Sequence, residues 1–132
     1  MLKRYKKTQE ITHVVSFLIR IKRVYDLPTE EDGFRILVDR LWPRGISREK
    51  AKLDLWMKDI APSELLRTWF NHEPSKWGEF QKKYKTELYV KQAAISQIEQ
   101  LEKEKGTITL VYSARDTEHN NAVALKSVLE RK

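Results

Sequence analysis

The residues Asp39-Arg40-Leu41-Trp42-Pro43-Arg44-Gly45 follow directly on the apolar run Ile36-Leu37-Val38. A carboxylate, two guanidiniums and an indole therefore stand at the end of what reads as a buried strand. The proline fixes φ and the glycine frees it, so the backbone is suited to turn there. A second group of the same kind, Ser113-Ala114-Arg115-Asp116-Thr117-Glu118-His119-Asn120, follows "TITLVY", residues Thr107 to Tyr112. Guanidiniums bind carboxylate and phosphate oxygens through paired N–H groups. A serine hydroxyl and the unpaired amides at the start of a following helix add donors. Arg40, Arg44, Arg115, Ser113, His119, Asn120 and the neighbouring Lys58 thus suit a small anionic ligand, phosphorylated or nucleotide-like. Trp42 could stack on a ring.

The groups able to move a proton in such a site are Asp39, His72 and Asp116. His72 follows the helical segment Ser63 to Phe70, whose C-terminal dipole favours a cation. Each of these residues also has a purely architectural reading. Asp39 and Arg115 could pair across the sheet, Arg44-Gly45 could be a plain turn, and His72 could cap its helix. Asp116 or Thr117 is expected to cap the final helix, with His119 in its first turn. No HExxH pair and no glycine-rich phosphate loop occurs, so metal and classical nucleotide signatures are absent, and whether a cofactor is used is left open. No base stands beside Ser113 or Ser63 to make either a nucleophile. The chemistry points to a site and a ligand class and leaves open whether anything is turned over.

For the two segments to form one site, the strands before them must run parallel and share an edge. The flanking pattern supports this. Val14 to Tyr25 alternates in part, with lysines and arginines on one face, as an edge strand does. "DLPTEEDG", residues 26–33, is a turn-forming loop, and Arg35 to Val38 is a short strand. "TITLVY" is apolar or β-branched on both faces and belongs at the centre of the sheet. Helical periods place Leu65, Leu66, Trp69 and Phe70 on one stripe, capped by Ser63. Trp77, Phe80, Tyr84 and Leu88 recur after Pro74, and Val90, Ala94, Ile98 and Leu101 continue the period to Gly106. The last helix carries Ala122, Leu125 and Leu129. Leu53 to Ile60 fits either period, with a lean to an extended segment. The expected fold is α/β: a single layered domain with a mainly parallel sheet flanked by helices.

Composition narrows the classes. A chain of 132 residues can bury a full core without staples, and with no cysteine it holds no disulfide, thiol nucleophile or iron–sulfur cluster. The net charge of +7 is uneven, +6 within residues 1–23 and +1 in the remainder. Residues 1–18 therefore read as a basic extension ahead of a balanced domain at 19–132. That extension makes a nucleic-acid partner an alternative, and a ligand-free protein-interaction module is another. The run "VVSFLI" is too short for a signal peptide or a membrane span, so a cytoplasmic protein without a membrane partner is expected.

"KRVYD", "ILVDRLWPRGISREK", "WMKDIAPSELLRTWFNHEPSKWGEF" and "YSARDTEHNNAVAL" closely resemble the YeaO-like branch of the domain-of-unknown-function 488 family, across about residues 21–130. The resemblance implies a single small α/β domain and assigns no catalytic role. Its motifs fall on Asp39, Arg40, Trp42, Pro43, Arg44 and Gly45. Further along they fall on Lys58, Ser63, Arg67, Trp69 and His72, then on Ser113, Arg115, Asp116, His119 and Asn120.

Overall fold

Thr107–Tyr112 forms the strand on which the sheet is built. In a computed structural model describing residues 18–131, this strand (β4) pairs on both sides, with β1 (Leu18–Arg23) and β2 (Phe34–Leu37). β2 pairs in turn with the two-residue β3 (Leu55–Trp56), giving the order β1-β4-β2-β3 with every pair parallel. The expected α/β class and parallel sheet are observed. Residues 1–17 of the expected basic extension, including the start of the predicted first strand, lie outside the described residues.

The period-two alternation decides which face each residue covers. Ile108, Leu110 and Tyr112 of β4, with Ile36 of β2 and Ile19 of β1, enter the main core. That core is closed by α2 (Glu64–Phe70), α3 (Trp77–Tyr89), α4 (Gln92–Lys105) and α5 (Asn121–Glu130). Val111 and Leu37 point the other way and pack with Val24 and Ala51, under Trp42, Ile46, Leu53 and Trp56. Ala51 comes from the short helix α1 (Arg48–Ala51). One face is thus covered by helices and the other by loops and one helical turn. Among the described residues no helix is long and apolar enough to cross a membrane.

Several expectations are corrected in detail. Leu66 and Phe70 are buried, but Leu65 is 84% exposed and Trp69 37% exposed, because α2 has only seven residues and packs along a narrower stripe than its sequence offers. The period from Trp77 does not run unbroken to Gly106. The chain turns at Val90-Lys91, leaving Val90 79% exposed, and resumes as α4, which buries Ile95 and Ile98. The ambiguous stretch 53–60 resolves into β3 followed by a 3-10 turn at Lys58–Ile60. Ser63 does cap α2, its hydroxyl accepting from the Leu66 amide at 3.1 Å.

The link from β1 to β2 crosses the second face with only a 3-10 turn at Glu30–Asp32 in place of an α-helix, and a buried carboxylate holds it. Asp32 is ion-paired to Arg35 at 2.6 Å and to Lys22 at 3.1 Å. It also accepts from the amide and hydroxyl of Thr29, both at 3.1 Å. Arg35 completes its own shell on the carbonyls of Ala51 and Lys52. The next residue, Gly33, has φ +63°, and a Cβ there would collide with the Thr107 carbonyl, so only glycine fits where the link passes β4. Burial alone would raise the Asp32 carboxyl. The Thr29 amide, Lys22, Arg35 and the Thr29 hydroxyl outweigh it and hold the group down from 3.8 to about 2. A depressed carboxylate stabilises the fold above its unfolded pKa and loses that contribution as pH falls through the folded one. Stability measured by urea unfolding should therefore decline between about pH 4 and pH 2. Asp32→Ala should cost about 3–5 kcal/mol at neutral pH by stranding the Arg35 charge, and should flatten the acid decline.

Candidate functional site at the carboxyl edge of the sheet

Because the four strands are parallel, their carboxyl ends share one edge. After β2 the chain turns onto the second face, where Trp42 and Ile46 pack. After β4 it turns the other way, into α5 and the main core. Neighbouring strands whose exits diverge in this way leave a crevice between them. Here the crevice is bridged by Asp39. Its Oδ2 accepts from the Ser113 amide at 3.0 Å and the Ser113 hydroxyl at 2.7 Å. Its Oδ1 accepts at 3.1 Å from the Asn121 side-chain amide, which also donates to the Val38 carbonyl at 2.9 Å. The two loops do meet on one edge. Burial pushes the Asp39 carboxyl up, against the pull of the Ser113 and Asn121 donors and of the His72 charge.

The loop after β4 is organised by Asp116. Its Oδ1 accepts from the amides of Glu118 at 2.9 Å and His119 at 3.0 Å. Its Oδ2 lies 2.8 Å from Nδ1 of His119. The Glu118 amide, the His119 ring and the His119 amide hold the Asp116 carboxyl below the usual range. These bonds form a turn ahead of the helix. The cap of α5 is therefore Asn120, which accepts from the Val123 amide at 3.0 Å, and neither Asp116 nor Thr117 fills that role. His119 precedes the helix and sets its ring edge-on to Trp77 at 5.3 Å. His72 and the preceding Asn71 both adopt left-handed backbone, with φ of 55° and 50°, and Asn71 ends α2. Asp116 and His119 together form an oriented carboxylate–imidazole pair, a geometry able to accept or release a proton. Among the described residues, no group of three or more histidines and carboxylates is arranged to hold a metal ion.

The remaining candidates separate into two sets. Arg40 donates through Nε and Nη2 to the Pro62 carbonyl at 3.2 and 3.1 Å. Lys58 lies over the Trp56 ring at 4.2 Å. Trp42 donates to the Ile46 carbonyl at 2.8 Å, packs edge-on against Trp56 and is covered by Arg48, so its ring is already partnered. These three belong to the β3 side of the edge. Arg44 and Arg115 are exposed, and among the described residues no carboxylate lies within 4.0 Å of either guanidinium.

Two residues that the sequence reading passed over connect this second set. Arg23, the last residue of β1, donates through Nε to the carbonyls of Ser113 at 3.3 Å and Ala114 at 2.8 Å. Its guanidinium lies 4.7 Å from the centre of the Tyr25 ring. The Tyr25 hydroxyl in turn donates to the Arg44 carbonyl at 2.6 Å. A continuous contact chain thus runs from Arg44 through Tyr25 and Arg23 to the residue preceding Arg115. Beside it a shallow groove opens at the β1–β4 exit, lined in part by Arg20, Arg23, Asp26, Tyr112 and Thr117. The signal for this was the position of "KRVYD" at the carboxyl end of β1, the same place on a third strand. Asp39→Ala removes the acceptor shared by Ser113 and Asn121 and should destabilise the protein by about 2–3 kcal/mol in urea unfolding. Arg115→Ala, on an exposed side chain, should stay within about 0.5 kcal/mol of wild type.

Residues 18–132 match the family DUF488-N3i, described as the inactive DUF488-N3 subclade. The uncharacterised protein YeaO of Escherichia coli is 43% identical over 107 residues, covering 81% of this chain and 92% of that one. The uncharacterised protein Rv3073c of Mycobacterium tuberculosis is 36% identical over 111 residues, covering 84% and 92%. No solved structure matches the chain. Matched by that family model over residues 18–132 and 43% identical to YeaO over most of its length, this chain belongs to the DUF488 family, in its YeaO-like branch.

Proposed function

We propose that this domain binds a small anionic ligand at the carboxyl edge of its sheet and holds it without turning it over. The observation that carries the reading is the contact chain linking Arg44, Tyr25, Arg23 and the Ser113–Arg115 loop. It fixes one guanidinium on backbone carbonyls and leaves two more, Arg44 and Arg115, on either side without a carboxylate among the described residues. Guanidiniums without a carboxylate partner are suited to an anion, and a phosphate offers oxygens to more than one of them. Asp39 is then a structural brace beneath the site, since Ser113 and Asn121 occupy both its oxygens. The Asp116–His119 pair supplies a polar wall, with His119 able to donate to the ligand. The description of the family as an inactive subclade agrees with binding in preference to catalysis.

Thermal-shift titration against inorganic phosphate, pyrophosphate and a panel of phosphorylated metabolites tests this. A ligand at a hundredfold excess over its dissociation constant should stabilise the protein by about 2.7 kcal/mol. Arg44→Ala and Arg115→Ala should each weaken that binding by about tenfold or more while leaving the unliganded melting temperature unchanged. A library without any stabilising anion, or a shift indifferent to both substitutions, would overturn the reading.

A further inference from the structure

We infer that the anion held at this rim carries a planar aromatic ring, so that its chemical class is the nucleoside phosphates. This rests on the anion-binding reading and adds a second half to the ligand. Tyr25 is 40% exposed, although its ring is gripped at two points. The hydroxyl is fixed on the Arg44 carbonyl at 2.6 Å, and Arg23 lies against the ring at 4.7 Å from its centre. An aromatic ring held in this way stays in place while still meeting solvent, and stacking on it costs little ordering. A cation on the same ring polarises it further toward a stacked partner.

The position of the ring is as telling as its exposure. Its hydroxyl is bonded to the backbone of Arg44, and Arg23 joins it to the loop that ends in Arg115. Arg44 and Arg115, both exposed, are thereby tied through the backbone to the surroundings of the ring. A ring to stack on and cations close by in the chain suit the two halves of a nucleoside phosphate. Asp26 and Thr117 line the adjoining groove and provide an acceptor and a hydroxyl for sugar hydroxyls or an exocyclic amine. Trp42, the ring first singled out in the sequence, does not serve, because it is half-buried against the second-face core with Trp56 packed edge-on to it.

The test uses the full chain and compares adenosine 5′-monophosphate, ribose 5-phosphate and inorganic phosphate, by calorimetry and by one-dimensional NMR of the ligand. The mononucleotide should bind about tenfold or more tightly than ribose 5-phosphate. Its base protons should move upfield on binding, as protons held over a tyrosine ring do. Tyr25→Leu should bring the nucleotide down to the ribose 5-phosphate affinity measured on the same variant, whereas Tyr25→Phe should keep most of the preference. Equal affinities for the two, or a preference that survives Tyr25→Leu, would overturn the ring inference and leave the anion site standing. Binding of none of the three would remove both readings. Should Tyr25→Leu fail to fold, the base-proton shifts with the unmodified protein decide the matter alone. A 5′-phosphorylated oligonucleotide, run in parallel, distinguishes a free nucleotide from a strand end as the source, and preference for either supports the class.

Discussion

One half-buried carboxylate, Asp39, braces the carboxyl edge of the sheet. Asp39 sits where the chain leaves β2 for one face of the sheet, opposite the point where it leaves β4 for the other. Two exits that diverge from adjacent strands would splay apart if nothing joined them. Asp39 joins them through both its oxygens, to Ser113 on the β4 exit and to Asn121 at the start of α5. Its backbone carbonyl also accepts from Trp56 of β3 at 2.8 Å, so three strands are tied at one residue. The cost is a carboxyl whose pKa burial has raised, and the two loops gain a fixed separation in return. A shallow groove lies one strand over, where β1 and β4 end.

The same device appears a second time on the opposite side of the molecule's chemistry. Asp32 secures the link from β1 to β2 as Asp39 secures the exits. The difference lies in compensation. Asp32 has two cationic partners and a depressed pKa, while Asp39 has neutral donors with a more distant histidine charge and a raised one. A buried carboxylate with full cationic pairing is a fixture at neutral pH.

Much of the fold could be read from the sequence because it depends on short-range patterns. "TITLVY" is apolar on both faces only if both are covered, and it is the central strand. The charged alternation of "IRIKR" fits an edge, and β1 is one. The placement of the two polar loops on one edge followed from parallel strands alone. What the sequence could not convey was competition among similar groups. Asp116 and Asn120 are both good caps, and the choice falls on Asn120 because Asp116 is consumed by its own turn. Trp42 and Tyr25 are both aromatic residues past a strand end, but only packing against Trp56 and Arg48 tells which is covered. Arg23 was passed over because a lysine–arginine pair on an edge strand reads as solvation, and its bonds to Ser113 and Ala114 span some ninety positions of sequence.

The strand order has a consequence for how the polypeptide comes into being. β1 finds its hydrogen-bonding neighbour only in β4, and β2 has little beyond a two-residue neighbour until β4 slots in beside it. On a ribosome, β1 must therefore wait, unzipped, until β4 has been made. A nascent chain without β4 has only the two-residue pairing of β2 with β3, so formation of the sheet is dominated by distant contacts.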